Sequence, residues 1–151
     1  MDEIISFTRR GWALLPLAKR SKEPNTYLAH KGYLSASKDI KQITEWFAAT
    51  ENNVGIACQA SGLVVLDIDN GEIPIEATET YTVKTRRGWH LYYLAEPNTD
   101  YVAKYGDNID VKHKGYVVAP PSIHPNGFHY WVVDDQEPQP LPAAIAAKIA
   151  R

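Results

Sequence analysis

The segment Leu63–Asp69, which reads LVVLDID, constrains the fold of this chain more than any other stretch. Successive side chains of a β-strand point to opposite faces, and the first residues of this run are apolar on both faces. A strand of that kind lies in the middle of a sheet, with packing on each side. Two acids end the run, so Asp67 and Asp69 are predicted to project from one face at the rim of the sheet.

This Asp-x-Asp pair has two interpretations. Two carboxylates on one face repel each other unless a cation lies between them. Mg²⁺ and Mn²⁺ prefer carboxylate and water oxygens, so Asp67 and Asp69 are candidate ligands for one or two such ions. The alternative is a solvated strand end before the turn at Asn70 and Gly71, because the two-acid pattern is short and common.

Two further segments carry candidate catalytic or binding residues. Asp110, in NIDVK, is a third acid at a predicted strand end, and three carboxylates can hold metal for an in-line displacement at phosphorus. His90 follows a basic turn that contains Arg86, Arg87 and Gly88. A histidine beside arginines suits a triphosphate, and a glycine allows close backbone approach. Each residue also has a plainer interpretation. Asp110 can be an exposed carboxylate, His90 a half-buried histidine bonded to a backbone carbonyl, and the two arginines part of a solvated turn.

The remaining pattern predicts an α+β fold, with helices early and an antiparallel-rich sheet later. Helical spacing begins the chain, recurs after Ser37, where Ser37 or Asp39 is the expected cap, and returns in an Ala-rich segment at the end. Helices are predicted at 2–10, from 37 to before 52, and at 143–151, and strands at 12–17, 54–58, 63–69, 81–85, 89–94, 108–112, 116–119 and 128–133.

Composition narrows the class of protein. A chain of 151 residues that is 44% hydrophobic is expected to form one domain or at most two small lobes, and it is neither disordered nor a coiled coil. No apolar run reaches the roughly 18 residues that a membrane helix needs, and the acidic start does not resemble a signal peptide. The single cysteine, Cys58, excludes a disulfide framework and a zinc pattern and fits the cytoplasm. The net charge of -2 conceals a basic stretch at 9–31, where six Lys or Arg residues accompany Glu23 alone.

In this order the features resemble the bifunctional DNA primase/polymerase (prim-pol) family of the archaeo-eukaryotic primase superfamily. The matching sequence covers almost the whole chain and includes GWALLPL, NVGIACQASGLVVLDID, KTRRGWHLYY and NIDVKHKGYVVAPPSIHPNGFHYW. Each piece is weak alone, and their combination is specific. The resemblance implies a primase-like fold in one catalytic domain, 1–151. Its expected parts are an N-terminal α/β unit over 1–60, an RNA-recognition-like catalytic sheet over 61–136, and a linker with a helix over 137–151.

The resemblance also implies roles for particular residues. Asp67, Asp69 and Asp110 would bind Mg²⁺ or Mn²⁺, with no zinc, and His90 would contact the phosphates of the incoming nucleotide. Two positions depart from the family pattern: Trp89 replaces a glycine, and Lys112 replaces an arginine. Ser122 and His124 are candidates for the pocket wall, with loop stabilisation as the alternative. The other expected nucleotide contacts are Arg86, Arg87, Lys22 and Lys112, and less firmly Lys19 and Arg20.

The function implied is that of a two-metal DNA primase/polymerase in replication. Its expected partners are a single-stranded DNA template, NTP or dNTP, and a C-terminal helicase domain in a longer parent protein. A phage or plasmid origin and the cytoplasm of the host cell are the expected setting, without a membrane. Two alternatives stay open: a module that binds single-stranded DNA or nucleotide without catalysis, and a metal-dependent nuclease that uses the same acids. A nuclease does not need a triphosphate-binding hairpin.

Overall fold

A computed structural model describes all residues from 1 to 151. It shows an α+β chain with few helices and mainly antiparallel strands, as the sequence predicts. The helices are α1 (Asp2–Arg9), α2 (Ile40–Phe47) and α3 (Ala143–Ile149). The strands are β1 (Ala13–Leu17), β2 (Asn53–Ala57), β3 (Leu63–Asp69), β4 (Tyr81–Lys84), β5 (Gly88–Leu94), β6 (Ile109–Lys112), β7 (Tyr116–Ala119), β8 (Trp131–Asp134) and β9 (Gln139–Pro140).

These strands form two sheets. The smaller sheet has the order β1-β2-β7, and the larger has the order β6-β3-β5-β4-β8, with β9 beside β5. β3 therefore lies between two neighbours, as its apolar pattern predicts. β6 and β7 are separated only by residues 113–115, yet they belong to different sheets. The small sheet is thus completed by a strand from outside residues 1–60, the range expected for the N-terminal unit.

The main core lies between the two sheets. Leu63 and Val65 of β3 face residues such as Leu14 of β1, and all three side chains are fully buried. Trp12 packs edge-on to Tyr81, with ring centroids 5.2 Å apart. Each fully buried apolar side chain of this size contributes about 1.5–3 kcal/mol. Beyond Val65 the same face of β3 carries acids, so the two sheets are packed at one end and part at the other.

The opposite face of the large sheet has a second, smaller core. Val64, Leu66 and Ile68 of β3 are buried there, and Ile145 and Ile149 of α3 pack with them. Both faces of β3 are therefore covered, which confirms the prediction of a central strand. None of the three helices has the length and apolar character needed to cross a membrane.

Candidate active site

The register of the large sheet places three predicted site residues in one row. Asp67 lies directly opposite His90 of β5 on one side and Asp110 of β6 on the other. Residues directly opposite each other in antiparallel strands share a face of the sheet. His90 is 6% exposed, and its Nε2 atom lies 3.3 Å from Oδ1 of Asp67. Sequence alternation had already put Asp69 on this face, one row further along.

Gly88 lies opposite Asp69 and allows β5 to approach β3. A Cβ atom built at this position would be 1.7 Å from the carbonyl oxygen of Ile68, a distance that no side chain tolerates. The sequence pattern indicates a glycine that lets the backbone approach phosphate, whereas in the structure the pairing of β3 with β5 requires it. The close pairing brings Nη2 of Arg87 to within 3.5 Å of Oδ2 of Asp69.

A cleft of about 380 Å³ opens where the two sheets part. Asp67, Asp69 and His90 contribute to its wall. The remaining charged groups come from β6 of the large sheet and from loops next to the strands of both sheets. Five Lys or Arg side chains accompany two carboxylates, so the cleft attracts a polyanion. These groups are Lys22, Arg86, Arg87, Lys112 and Lys114, with His124 beside them.

Asp67 is charged at neutral pH although it is largely buried. Burial raises the pKa of its carboxyl group, but the hydrogen bond and charge of His90, followed by the charges of Lys112 and Lys22, hold that pKa below its ordinary value. An ionised carboxylate on the cleft wall is the protonation state that a metal ligand requires.

His124 is kept neutral. Burial lowers the pKa of its ring, and the charges of Lys22, Arg86 and Arg87 lower it further. Nδ1 of His124 accepts a hydrogen bond of 3.0 Å from the backbone N–H of Asn126. The neutral ring therefore carries its proton on Nε2, which remains a donor for a ligand.

The model of the bifunctional DNA primase/polymerase N-terminal domain matches residues 5–144. The chain belongs to this prim-pol family. The family predicted from the sequence is thereby confirmed, and membership indicates a DNA primase/polymerase, a nucleotidyltransferase that uses DNA and nucleotides. Prim-pol domains generally depend on a divalent metal ion. A comparison with curated proteins gives no match.

The prim-pol cleft also contains an aromatic residue that the sequence argument missed. Tyr130 is 5% exposed, and its ring centroid lies 6.4 Å from those of both His90 and His124. Burial, with the charges of Asp67 and Asp69, raises the pKa of Tyr130 to about 12. Alternation at the start of β8 indicates this orientation: Tyr130 directly precedes the strand and is two residues from Val132, which packs against the main core, whereas Trp131 between them is half exposed.

Ser122 does not line the prim-pol cleft. It is buried, its Oγ atom accepts a hydrogen bond of 2.9 Å from the N–H of Val54, and its hydroxyl donates to the carbonyl of Val54 at 3.2 Å. Both bonds tie the loop after β7 to β2. These bonds give Ser122 the loop-stabilising role named as its alternative, and it is not among the residues that line the cleft.

Three basic residues lie elsewhere. Lys19 forms an ion pair with Glu51, at 2.9 Å, and lines a separate surface hollow together with Arg20. Lys84 donates hydrogen bonds to two carbonyls of its own turn and lies over the ring of Trp89, 4.6 Å from its centroid. Trp89 packs against the second core, on the face opposite the cleft. Among the basic residues of this segment, Arg86 and Arg87 therefore line the cleft and Lys84 does not.

Asp110 shares the row of Asp67 but turns away from it. Its Oδ1 atom lies 2.7 Å from Nζ of Lys104, and its side chain is not part of the cleft wall. As arranged, no three His, Cys, Asp or Glu side chains are grouped to hold a metal ion. The donor chemistry nevertheless fits Mg²⁺ or Mn²⁺, because Asp67 and Asp69 offer carboxylate oxygens on one face. The carboxylate of Asp110 is engaged by Lys104 and does not add to this set in the structure.

Proposed function

We propose that this prim-pol domain catalyses template-directed nucleotidyl transfer on single-stranded DNA, synthesising primers and extending them during replication. One observation carries the proposal: the register of β3 puts acids and a histidine into the same cleft as five basic side chains. The acids suit metal, and the basic groups suit a triphosphate. We assign the chain a primase-like fold in which the large sheet is the RNA-recognition-like catalytic sheet.

The basic side chains would contact the triphosphate in different ways. Arg86 and Arg87 present planar forks that bind phosphate oxygens in pairs, whereas Lys22 and Lys112 act as point charges. The Nε2–H group of neutral His124 adds a directed hydrogen bond. Because these groups come from the loop after β1, the β4–β5 turn, β6 and the loop after β7, a bound triphosphate joins both sheets of the domain.

The carboxylates would hold one or two Mg²⁺ or Mn²⁺ ions. Asp67 and Asp69 are the residues in place, and Asp110 is the third candidate ligand. When bound, such ions lower the pKa of an attacking hydroxyl group and neutralise charge on the phosphates. His90 orients Asp67 through its Nε2 atom. The phosphate contact expected for His90 requires this nitrogen to exchange Asp67 for a phosphate oxygen, or the ring to use Nδ1, which is buried without a partner.

The decisive experiment replaces Asp67 with asparagine. Asp67→Asn keeps the shape of the side chain and removes its charge, so primer synthesis and extension with Mg²⁺ or Mn²⁺ should fall by about 10²–10³-fold, the scale of a lost electrostatic stabiliser. The assay uses labelled single-stranded template with each nucleotide type. Glu79→Gln, which removes an exposed charge outside the cleft, is the control. Undiminished synthesis by Asp67→Asn would contradict the proposal.

A non-catalytic module that binds nucleotide or single-stranded DNA is the second candidate. The pairing of Asp110 with Lys104 favours it, because the three acids are not assembled around one point. This hypothesis would be supported if calorimetry detects nucleotide binding while no nucleotide is incorporated into DNA in the presence of metal. The same assay without nucleotides tests for a nuclease, which would shorten the labelled strand instead of lengthening it.

We extend the proposal to the cellular setting that the resemblance implies. A replication enzyme of this kind would act in the cytoplasm of a host cell, encoded by a phage or plasmid. A helicase domain in a longer parent protein would be its partner.

A further inference from the structure

Lys104 extends the row of site residues by one position. The segment 103–105 adds to the outer side of β6 through hydrogen bonds from Val111 N–H to the Ala103 carbonyl, at 2.8 Å, and from Tyr105 N–H to the Ile109 carbonyl, at 3.0 Å. Lys104 is paired directly with Asp110 in this arrangement. Cross-strand order is therefore Lys104, Asp110, Asp67, His90, with all four on one face.

The ammonium group of Lys104 is placed as a substitute cation. It contacts Asp110 at 2.7 Å, and the hydrogen bond and charge of Asp110 raise its pKa, followed by the charges of Asp107 and Asp67. Neighbouring carboxylates on adjacent strands repel, and without metal this tethered charge offsets the repulsion. The ion pair is reversible because Lys104 is 64% and Asp110 37% exposed.

The surroundings leave Lys104 space to move. It lines a groove of about 540 Å³ that adjoins the cleft, with which it shares Lys112 and Lys114, and that also includes Asp100 and Arg151. A long, flexible side chain at the wall of an open groove can swing into solvent with little steric cost. A divalent ion carries twice the charge of an ammonium group and binds carboxylate directly, so it can displace Lys104 from Asp110.

We propose that Lys104 is a positioning residue that holds Asp110 away from the metal site of Asp67 and Asp69 until a divalent ion displaces it. This inference rests on the proposed function, in which these carboxylates bind metal. It assigns to Lys104 a competition with metal, and it explains why the third acid is in the correct row but outside the cleft.

The test measures Mn²⁺ affinity of the full chain by titration calorimetry, without nucleotide or DNA. Lys104→Met should tighten Mn²⁺ binding about two- to fivefold, the scale of one exposed ion pair. Lys19→Met is the matched control, since Lys19 pairs with Glu51 at 2.9 Å, is 61% exposed and lies outside the cleft. That control should leave the affinity unchanged, and circular dichroism checks that each variant is folded.

A double-mutant cycle separates competition for Asp110 from a general effect of charge. Asp110→Asn should weaken Mn²⁺ binding, and in that background Lys104→Met should have no further effect. An equal gain in both backgrounds would show that Lys104 acts only as a distant positive charge, and would overturn the inference. No change, or a loss of affinity, in the single variant would overturn it too.

Loss of Mn²⁺ binding in Asp67→Asn distinguishes the two proposals. If binding depends on Asp67 but not on Lys104, the metal site stands and the inference about Lys104 fails. If neither the wild type nor Lys104→Met binds Mn²⁺ in a manner that depends on Asp67, the metal site fails and the inference fails with it.

Discussion

At the scale of single residues, the hydrogen-bond and charge partners of each polar side chain determine whether it is charged and whether it is available to a ligand. Asp67 remains charged because His90, 3.3 Å away, lowers the pKa of its carboxyl group, and His124 remains neutral because burial and then the nearby basic groups lower the pKa of its ring. Asp110 has the same chemistry as Asp67, but Lys104 engages its carboxylate. Ser122 is as polar as any residue of the cleft, yet its hydroxyl is fully used by the backbone of Val54.

Ser122 and His124 are separated by one residue and should behave differently on mutation. Ser122→Ala leaves the buried N–H of Val54 without its acceptor, which should lower the free energy of unfolding by about 1–3 kcal/mol. Because Ser122 does not line the cleft, nucleotide affinity of the folded protein should be unchanged. Urea denaturation and nucleotide titration measure the two quantities.

His124→Ala is the complementary variant. It should weaken nucleotide binding severalfold, the loss of one hydrogen bond, with a smaller effect on unfolding. Weaker nucleotide binding by a fully folded Ser122→Ala would show that the serine contacts the ligand after all.

At the scale of elements, the positions of the strands are predictable, whereas their assignment to sheets is not. β3 was predicted with its exact bounds, because its apolar residues occupy both faces and acids mark its end. The segment His113–Gly115 looks like a tight turn, and a turn of that length serves equally well within a hairpin or as a crossing between sheets. Only long-range packing decides that β7 pairs with β2.

The same limit applies to the site. The side-chain directions of Asp67, Asp69 and His90 can be predicted, because side chains alternate between the two faces along β3 and β5. The orientation of Asp110 depends on residues 103–105, which have no strand pattern of their own and join β6 through backbone hydrogen bonds and the ion pair between Lys104 and Asp110. Local sequence therefore identified the residues of the row, but it predicted neither their register across the sheet nor the pairing of Asp110 with Lys104.

The pairing of β3 with β5 gives a prediction about Gly88. Gly88→Ala would place a Cβ atom against the Ile68 carbonyl, forcing the two strands apart at Asp69. The free energy of unfolding should fall by about 3 kcal/mol or more, the upper range for overpacking, or the protein should fail to fold. Denaturant unfolding and soluble yield measure this.

Gly71→Ala is the matched control, because its nearest neighbour would be 3.4 Å from the added atom, an ordinary contact distance. This variant should be near neutral in stability. Equal stability of both variants would mean that β3 and β5 do not pair as closely as the structure shows.

At the scale of the whole molecule, the net charge of -2 is a poor guide to what the surface binds. Acids are concentrated in the middle of the chain, while basic groups from distant segments, such as Lys22, Arg87 and Lys112, meet at one cleft. Two of the acids line that cleft and are candidate metal ligands, so bound divalent ions would cancel their field. The protein can therefore attract a polyanion locally while it is acidic overall.

Binding of single-stranded DNA should consequently be weak and strongly dependent on salt. With three to five phosphate contacts, the logarithm of the affinity should fall with the logarithm of salt concentration with a slope of about -2 to -3.5. Fluorescence anisotropy with a labelled oligonucleotide measures the slope. Replacing Arg86 and Arg87 together by alanine should reduce its magnitude by about 1.4. Tight binding that does not respond to salt would contradict this electrostatic account.

The row across the large sheet also determines where the chain tolerates a change in length. A single-residue deletion inside β5 would shift every later side chain of that strand to the opposite face, so His90 or Tyr92 would leave the face of the sheet that carries the site. Residues 70–80, which connect β3 to β4 without regular structure, carry no such constraint. Insertions and deletions during evolution are therefore expected to accumulate between these two strands, while the spacing within β3, β5 and β6 stays fixed.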